Sequence, residues 1–369
     1  MNRRDMIKMM GTTAITLGTP GTVWAAAKPA SSLYRNAIVI DGNMVGPWPD
    51  DPDEHLDAEI SAQVRSSGIT AYKQTLGGAG GMSKAETDKQ IAETEAVIAK
   101  NSDLFLKITR TADFAAAKQS GRVGVILSFE AGEMLEGQID NIDHFRAAGV
   151  LVMGLSYNKT TPFASGVMVP QSTGLTDLGR QAVERMNALG VTLDVSHSDE
   201  LSSLGALQAS TKPVLITHAG CAAIHPHPRN KSDALLRAVA DKGGVVGIYE
   251  LSYLVGAGQP KLEDYLRHLT HALKICGEDH VGIGTDGMLT PFDTSPESMK
   301  EWDESIKRRK EAGVAAPGEG PPPFVVGLNR SDRCAVIAGA LHKQGYGDRI
   351  IEKVLGSNFQ RVFNETWTN

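Results

Sequence analysis

The sequence predicts an eight-stranded parallel α/β barrel of the (β/α)8, TIM type, and three observations favour this fold class. The composition is that of an α/β enzyme with many tight turns: of 369 residues, 41% are hydrophobic, 5% are aromatic and 39 are glycine. Eight short apolar runs alternate with helix-like segments. No Gly-x-Gly-x-x-Gly fingerprint follows the first run, which disfavours the rival doubly wound open sheet.

The eight runs are continuous rather than alternating, as expected for strands that are covered on both faces. They occupy residues 37–40, 69–72, 123–127, 150–153, 191–195, 214–216, 245–248 and 281–283. In the same order they lead into Asp41, Lys73, Glu130, Tyr157, His197, His218, Glu250 and Asp286. The carboxyl ends of barrel strands meet at one face, so we expect these polar residues to surround the active site.

Helical periodicity marks the segments between the runs. It is clearest at residues 88–100, 177–189 and 262–275, where apolar residues recur on one face. Residues 290–327, which we call the excursion, break the pattern because they are first charged and then rich in Gly and Pro. We expect the excursion to follow the eighth strand and to cover the site, with C-terminal helices over residues 331–363.

The first 30 residues are predicted to be an export signal rather than part of the fold. Arg3 and Arg4 precede a mildly apolar stretch at residues 9–24 and three alanines, which is typical of a twin-arginine signal. The alternatives are an ordinary secretory signal or an uncleaved anchor. The stretch is short and polar for a stable membrane span. We therefore expect a periplasmic protein whose mature part, residues 31–369, is a single hydrolase domain.

Charge and cysteine content exclude two classes of protein. The formal net charge is −6 and no long basic run occurs, so nucleic acid is not a predicted partner. The three cysteines, Cys221, Cys276 and Cys334, are widely spaced and form no Cys-x-x-Cys pair. We expect them to be small core residues rather than a disulfide framework.

Four ionisable residues at predicted strand ends form a candidate metal site. Two imidazoles and a carboxylate, from His197, His218 and Glu130, suit zinc with open positions for water and substrate. A divalent cation lowers the pKa of water, and Asp286 could then transfer the proton to a leaving amine. The alternative is that each residue is a hydrogen-bonded group on the barrel rim.

Two further motifs follow the sixth run. Arg229, followed by Asn230, could hold a substrate carboxylate through its two-pronged guanidinium, or it could form a surface salt bridge. His225 and His227 have metal-like spacing. They lie in a Pro-rich stretch away from a strand end, so we do not expect their rings to converge on a cation.

Several segments resemble those of the renal (membrane) dipeptidase family of the amidohydrolase superfamily. They lie at residues 174–179, 193–197, 216–218, 227–230, 243–247, 280–286 and 355–363. The similarity runs from about Ile38 to Phe363, nearly the whole mature chain. That family is a (β/α)8 barrel that holds two zinc ions and cleaves dipeptides, and it often forms homodimers.

The resemblance assigns roles to individual residues. The bridging glutamate of the family matches Glu130, and the two histidines of its second metal site match His197 and His218. The arginine that binds the substrate carboxylate matches Arg229, and the aspartate that transfers the proton matches Asp286. The family tolerates D-residues on the C-terminal side of the dipeptide.

Two features of the family pattern are missing here. The first strand of the family ends in Asp-Gly-His-x-Asp, which supplies two ligands of the first metal, but this chain has Asn43 and Val45 at those positions. The fourth strand of the family ends in Thr-His-Asn, and Tyr157 stands in place of that histidine. Tyr157 can still donate a hydrogen bond to the substrate. We therefore expect at most one tightly bound metal, a zinc ion.

These observations leave three hypotheses for the function. The first is a single-zinc, dipeptidase-like hydrolase that cleaves a dipeptide or a similar small amide with a free carboxylate. The second is a tailoring enzyme that acts on an exported, peptide-derived metabolite with the same barrel site. The third is a non-catalytic binding protein on a decayed dipeptidase scaffold.

Overall fold

The computed structural model of the protein describes residues 32–78 and 81–367. The predicted signal, residues 1–30, lies outside these ranges. Within them, every helix is too short or too polar to cross a membrane.

A closed barrel of eight parallel strands forms the centre of the molecule, as the apolar runs predict. The strands are β1 (Ile40–Val45), β2 (Ala71–Leu76), β3 (Phe105–Lys107), β4 (Val123–Phe129), β5 (Val152–Gly154), β6 (Thr192–Asp194), β7 (Val214–Ala219), β8 (Val245–Ile248), β9 (Val281–Ile283) and β10 (Gly287–Met288). The barrel order is β1-β2-β4-β5-β6-β7-β8-β9, and β9 pairs with β1 to close it. The short strands β3 and β10 lie beside β4 and β1.

Several strands extend further into the mouth of the barrel than the apolar pattern indicates. The sequence predicts that the first strand ends before Asp41, but β1 continues to Val45 and pairs with β2 and β10 along the way. The reason is that backbone pairing persists where the interior side chains become polar. Asn43 therefore lies within a strand, with its side chain fully buried.

Helices pack around the barrel, over its outer face and over its two ends. They are α1 (Ser32–Asn36), α2 (Ala58–Ser66), α3 (Lys84–Lys100), α4 (Ala112–Ser120), α5 (Asp140–Ala147), α6 (Asp177–Leu189), α7 (Glu200–Ala209), α8 (Asp233–Asp241), α9 (Leu262–Cys276), α10 (Pro296–Glu311), α11 (Arg333–Lys343), α12 (Asp348–Glu352) and α13 (Asn358–Thr366). Helix α6 has the predicted bounds: the Thr176 side chain caps its first turn, and Gly190 ends it with a φ of 70°.

The C-terminal helix α13 closes the bottom of the barrel, opposite the mouth. Phe359 is fully buried and packs against the interior residues of the strands. A Cβ atom on Gly42 or Gly282 would lie only 2.6 or 2.5 Å from the Phe359 ring. Both positions therefore require glycine, because the ring fills the space that a side chain would need.

The excursion forms a cover over the mouth, as predicted, and it contains a helix of 16 residues, α10. A small core of its own holds it together, made from Phe292, Trp302 and Ile306. The Trp302 indole N–H also donates to the Gly320 carbonyl at 2.7 Å. These contacts hold the Gly- and Pro-rich second part of the excursion against its helix, α10.

Candidate metal centre

Three side chains from different strands converge at the barrel mouth. Glu130 follows β4, His197 follows β6 and His218 lies within β7. Their potential ligand atoms all lie within 4.8 Å of one another. The two Nε2 atoms are 3.0 Å apart, and His197 Nε2 is 3.5 Å from Glu130 Oε2. The structure thus brings together the three residues that the sequence predicts as ligands.

Hydrogen bonds at the opposite ring nitrogens orient both imidazoles. His197 Nδ1 lies 3.2 Å from Asn158 Oδ1. His218 Nδ1 lies 2.9 Å from Thr217 Oγ1, and that hydroxyl donates to Asp194 Oδ2 at 2.6 Å. Because both partner oxygens accept, each Nδ1 carries the proton and each Nε2 presents its lone pair to the centre.

The electrostatics of the centre suit a bound cation. Burial holds the pKa of the His218 imidazole well below its usual range, although the negative charge of Glu130 opposes this shift. The ring is therefore neutral, which is the form that binds metals. Two imidazole nitrogens and one carboxylate oxygen match the ligand set of a catalytic zinc site that keeps a position open. The residues present therefore fit a single divalent cation.

A cleft beside these ligands is enclosed by the excursion. Its walls on the barrel side include Tyr157, Asn158, His197, Arg229, Tyr253 and Asp286. The excursion contributes Trp302, Arg309, Ala316, Glu319, Pro321 and Pro323. Of the residues predicted to act on substrate, Tyr157, Arg229 and Asp286 thus share one cleft.

Tyr157 lies directly against the candidate ligand His197. The two rings stack with centroids 3.9 Å apart and an interplanar angle of 21°. Arg309, from helix α10, hydrogen-bonds the Tyr157 side chain. Arg309 also pairs with Glu319, whose Oε2 accepts from the Tyr253 hydroxyl at 2.9 Å. Sequence reasoning missed Arg309 and Glu319, because nothing in a charged, Pro-rich segment indicates which residues turn inward.

Arg229 and its neighbour Asn230 have different positions. The Arg229 guanidinium is buried and lies at the cleft, where it donates to the Ser196 carbonyl and, at 3.1 Å, to His197 Nε2. The Asn230 side chain instead donates to the backbone carbonyls of His225 and Tyr253. These hydrogen bonds brace the loop after β7, and a role of Asn230 in substrate binding stays a prediction.

His227 contacts both the barrel and the excursion. The His227 ring stacks on Tyr253 with centroids 4.3 Å apart, and His227 Nε2 lies 2.7 Å from the Pro317 carbonyl oxygen. His227 therefore joins the excursion to the loops of the barrel.

Asp286 lies at the cleft in a strained backbone conformation, with a φ of 52°. Its backbone N–H donates to the Asn43 carbonyl at 2.7 Å, and its Oδ1 accepts from Asn43 Nδ2, also at 2.7 Å. Sequence reasoning treated Asn43 only as a lost ligand. The structure shows that Asn43 is a direct partner of Asp286.

Comparison with known proteins gives a consistent picture. The family model described as membrane dipeptidase, peptidase family M19, matches residues 58–311. An amidohydrolase from Pseudomonas aeruginosa is 27% identical, with a TM-score of 0.76 over 91% of this chain and 98% of that chain. An uncharacterised protein encoded in the pqqA 5′ region of Klebsiella pneumoniae is 29% identical over 76% of this chain and 95% of its own length.

Two further similarities involve proteins named as peptidases. Dipeptidase tcpJ of Claviceps purpurea is 24% identical over 84% of this chain and 69% of its own length. A metallopeptidase from Rhodobacter sphaeroides, solved with a phosphinate mimic of the dipeptide L-Ala-D-Ala, shares the fold. Its TM-score is 0.70 at 20% identity, over 90% of this chain and 100% of that chain. The chain belongs to the membrane dipeptidase family, peptidase family M19, and is a metal-dependent hydrolase of the dipeptidase type.

Proposed function

We propose that the protein hydrolyses the amide bond of a dipeptide, or of a similar small amide with a free carboxylate, using one zinc ion. Glu130, His197 and His218 would hold the ion. The observation that carries this proposal is their convergence, with both Nε2 lone pairs directed at one point and all three residues buried. A zinc ion there would supply a Lewis acid and lower the pKa of a water molecule.

The remaining groups of the cleft can transfer a proton and stabilise a developing negative charge. Asp286 is a carboxylate held in place by Asn43, so it can accept the proton of the attacking water and return it to the leaving amine. Tyr157 can donate its phenolic hydrogen to the carbonyl oxygen of the substrate. That is the role assigned in the family to the histidine that Tyr157 replaces.

The substrate is expected to be small and to carry a negative charge. The Arg229 guanidinium lies in the cleft and can bind a carboxylate through two parallel hydrogen bonds. The excursion covers the mouth, which limits the length of a bound peptide. The dipeptide mimic bound to the Rhodobacter sphaeroides metallopeptidase supports the same substrate class.

The decisive experiment combines metal content with a substrate panel. The purified protein is loaded with zinc, analysed for its metal content, and assayed with L,L- and L,D-dipeptides and N-acyl amino acids. We expect one ion per chain and amide cleavage. Asp286→Asn is the matched control, since it keeps the shape of the side chain and should retain the metal but lose turnover. Metal-loaded protein that cleaves no member of the panel would contradict the proposal.

The altered strand ends favour one alternative, a tailoring reaction on an exported, peptide-derived metabolite. Asn43 and Tyr157 change the surroundings of the reacting carbonyl while the metal ligands remain. Full metal loading without hydrolysis, in a protein whose gene lies within a biosynthetic cluster, would support this function. Dipeptide cleavage at rates typical of the family would exclude it.

We also propose that the protein is exported to the periplasm by the twin-arginine route, on the sequence of residues 1–30 alone. Replacement of Arg3 and Arg4 by Lys should retain the protein in the cytoplasm, as judged by cell fractionation and immunoblotting. Replacement of Lys8 alone is the control and should leave export intact.

Size-exclusion chromatography of the exported protein would show whether it forms the homodimer that the resemblance implies.

A further inference from the structure

The two carboxylate oxygens of Glu130 face different surroundings. Oε2 lies toward the candidate ligand His197, at 3.5 Å from its Nε2. Oε1 accepts a hydrogen bond from Asn43 Nδ2 at 2.7 Å and lies 2.8 Å from the Thr75 hydroxyl, which donates toward it. One oxygen of Glu130 thus faces the imidazoles, while the other is bound by groups from β1 and β2.

The Asn43 amide connects Glu130 to Asp286. Its Nδ2 carries two hydrogens and lies 2.7 Å from Glu130 Oε1 and 2.7 Å from Asp286 Oδ1. Its Oδ1 lies 3.0 Å from the Thr75 hydroxyl. An amide nitrogen donates but does not bind cations, so this side of the cleft presents hydrogens where a metal would need lone pairs.

A buried ammonium group completes this arrangement. The Lys73 side chain, from β2, is fully buried, and its Nζ donates to Thr75 Oγ1 at 3.3 Å. It also lies 3.7 Å from Asp194 Oδ2. A fixed positive charge at this position disfavours a second cation nearby, because like charges repel strongly in a buried environment.

Resting on the proposed function, we infer that Asn43, Thr75 and Lys73 replace a second metal ion, and that Asn43 is the positioning residue for Asp286. The two-point contact between Asn43 and Asp286, through the backbone and the side chain, fixes the carboxylate beside the cleft. A second ion would hold Glu130 and Asp286 by attraction to its charge. Here hydrogen bonds hold them. The centre therefore accepts a single metal ion, and the hydrogen bonds of Asn43, rather than a second ion, orient Asp286.

The first test uses cobalt alone and requires no substrate. Metal-free protein is titrated with Co²⁺, and binding is followed by the visible absorption of the ion and by elemental analysis. Wild type should saturate at one equivalent. Asn43→Asp replaces the donating nitrogen with an oxygen, so three carboxylates converge. Their combined negative charge outweighs the single positive charge of Lys73, and this variant should bind two equivalents. Two equivalents in wild type, or one in the variant, would overturn the inference.

The second test separates positioning from general stability. Asn43→Ala should still bind one Co²⁺, whereas its kcat should fall about 10- to 100-fold with little change in KM, as for other groups that orient a reacting side chain. Asn358→Ala is the control. The Asn358 amide is equally buried and makes two hydrogen bonds of 2.8 Å, to the backbone at Glu278 and Val281, near the closed end of the barrel.

The two variants give distinguishable outcomes. Asn358→Ala should lower the melting temperature and leave kcat unchanged. An Asn43→Ala variant whose kcat matches that of Asn358→Ala would refute the positioning role. If no substrate is found for the wild type, the proposed hydrolase activity fails, but the cobalt stoichiometries still decide how many ions the centre accepts.

Discussion

Two halves of the barrel mouth differ in what they present to the cleft. On the half formed by β4, β6 and β7, Glu130, His197 and His218 direct lone pairs at one point. On the half formed by β1 and β2, Asn43 directs hydrogens at two carboxylate oxygens, and Lys73 directs one at the Thr75 hydroxyl. Both halves are buried and both rest on parallel strands. The side chains at the strand ends, and not the barrel, therefore set how many cations this site accepts.

The comparison also explains why losing two ligands of the family need not destroy the site. An unpaired carboxylate is costly in a buried environment, so removing a cation without replacement would leave Glu130 and Asp286 poorly solvated. The Asn43 amide serves both carboxylates at once. The metal-binding half can then persist because its neighbour has become a self-contained hydrogen-bond network.

The largest expected effect comes from breaking the metal-binding half. His218→Ala removes a fully buried ligand whose orientation is fixed by Thr217. The zinc content of the purified protein should fall well below one ion per chain, and kcat/KM should fall by about 1,000-fold or more, because the cation supplies several kcal/mol of transition-state stabilisation. Elemental analysis and steady-state kinetics measure the two effects. Unchanged metal content would contradict the assignment.

Tyr157 follows β5, which lies between β4 and β6 in the metal-binding half, and Tyr157→Phe tests its hydroxyl alone. The ring would keep its stacking contact with His197, so metal content should not change. We expect kcat to fall about 100-fold, the usual loss when one donor to a developing oxyanion is removed. A normal kcat would mean that the hydroxyl serves only as a partner of Arg309.

A smaller effect is expected when the support of a ligand is removed. Asn158→Ala deletes the acceptor at His197 Nδ1, which frees the ring to rotate and to change its tautomer. Zinc affinity, measured by competition with a chelator, should fall about 10- to 100-fold. Thr217→Val makes the corresponding change at His218. Equal zinc affinity in all three proteins would argue against binding through the Nε2 atoms.

The Arg309–Glu319 ion pair, whose members contact Tyr157 and Tyr253 of the barrel, should affect substrate binding more than chemistry. Glu319→Gln keeps the hydrogen-bonding shape but removes the charge that pairs with Arg309. Because the excursion would be held less firmly over the barrel mouth, KM should rise by about threefold to tenfold with kcat almost constant. Glu311→Gln, at an exposed position of helix α10, is the control and should leave both constants unchanged.

The smallest effect concerns stability in the β1 half. Burial raises the pKa of Asp41 to about 7 from an ordinary value of 3.8, against hydrogen bonds from Asn43 and Thr285. The protonated carboxyl therefore stabilises the fold fully below pH 3.8, and this contribution is lost as the pH rises to 7.

Asp41→Asn should remove that pH dependence. Urea unfolding of wild type between pH 4 and 7 should show a decline in unfolding free energy that is steeper than that of the variant, by at most about 1.4 kcal/mol per pH unit. Parallel curves for the two proteins would show that Asp41 is ionised throughout, as it would be beside a bound cation.

Much of the fold could be predicted from the local pattern of apolar residues along the sequence. The eight apolar runs identified the eight barrel strands, and helix α6 has the bounds that its periodicity indicates. The strand ends were less accurate at β1 and β2, because polar residues in the barrel mouth interrupt the apolar pattern while backbone pairing continues. The strands β3 and β10 contain only two or three residues, too few to give a pattern.

The sequence by itself determined the barrel and the meeting of Glu130, His197 and His218, because parallel strands carry whatever follows them to the same end of the sheet. Only the tertiary structure decided the partners of those groups. Asn43 meets Glu130 across 87 positions of the chain and Asp286 across 243. Periodicity reports that a residue is buried, but not which polar atoms face it across a closed barrel, and those contacts define the chemistry of this site.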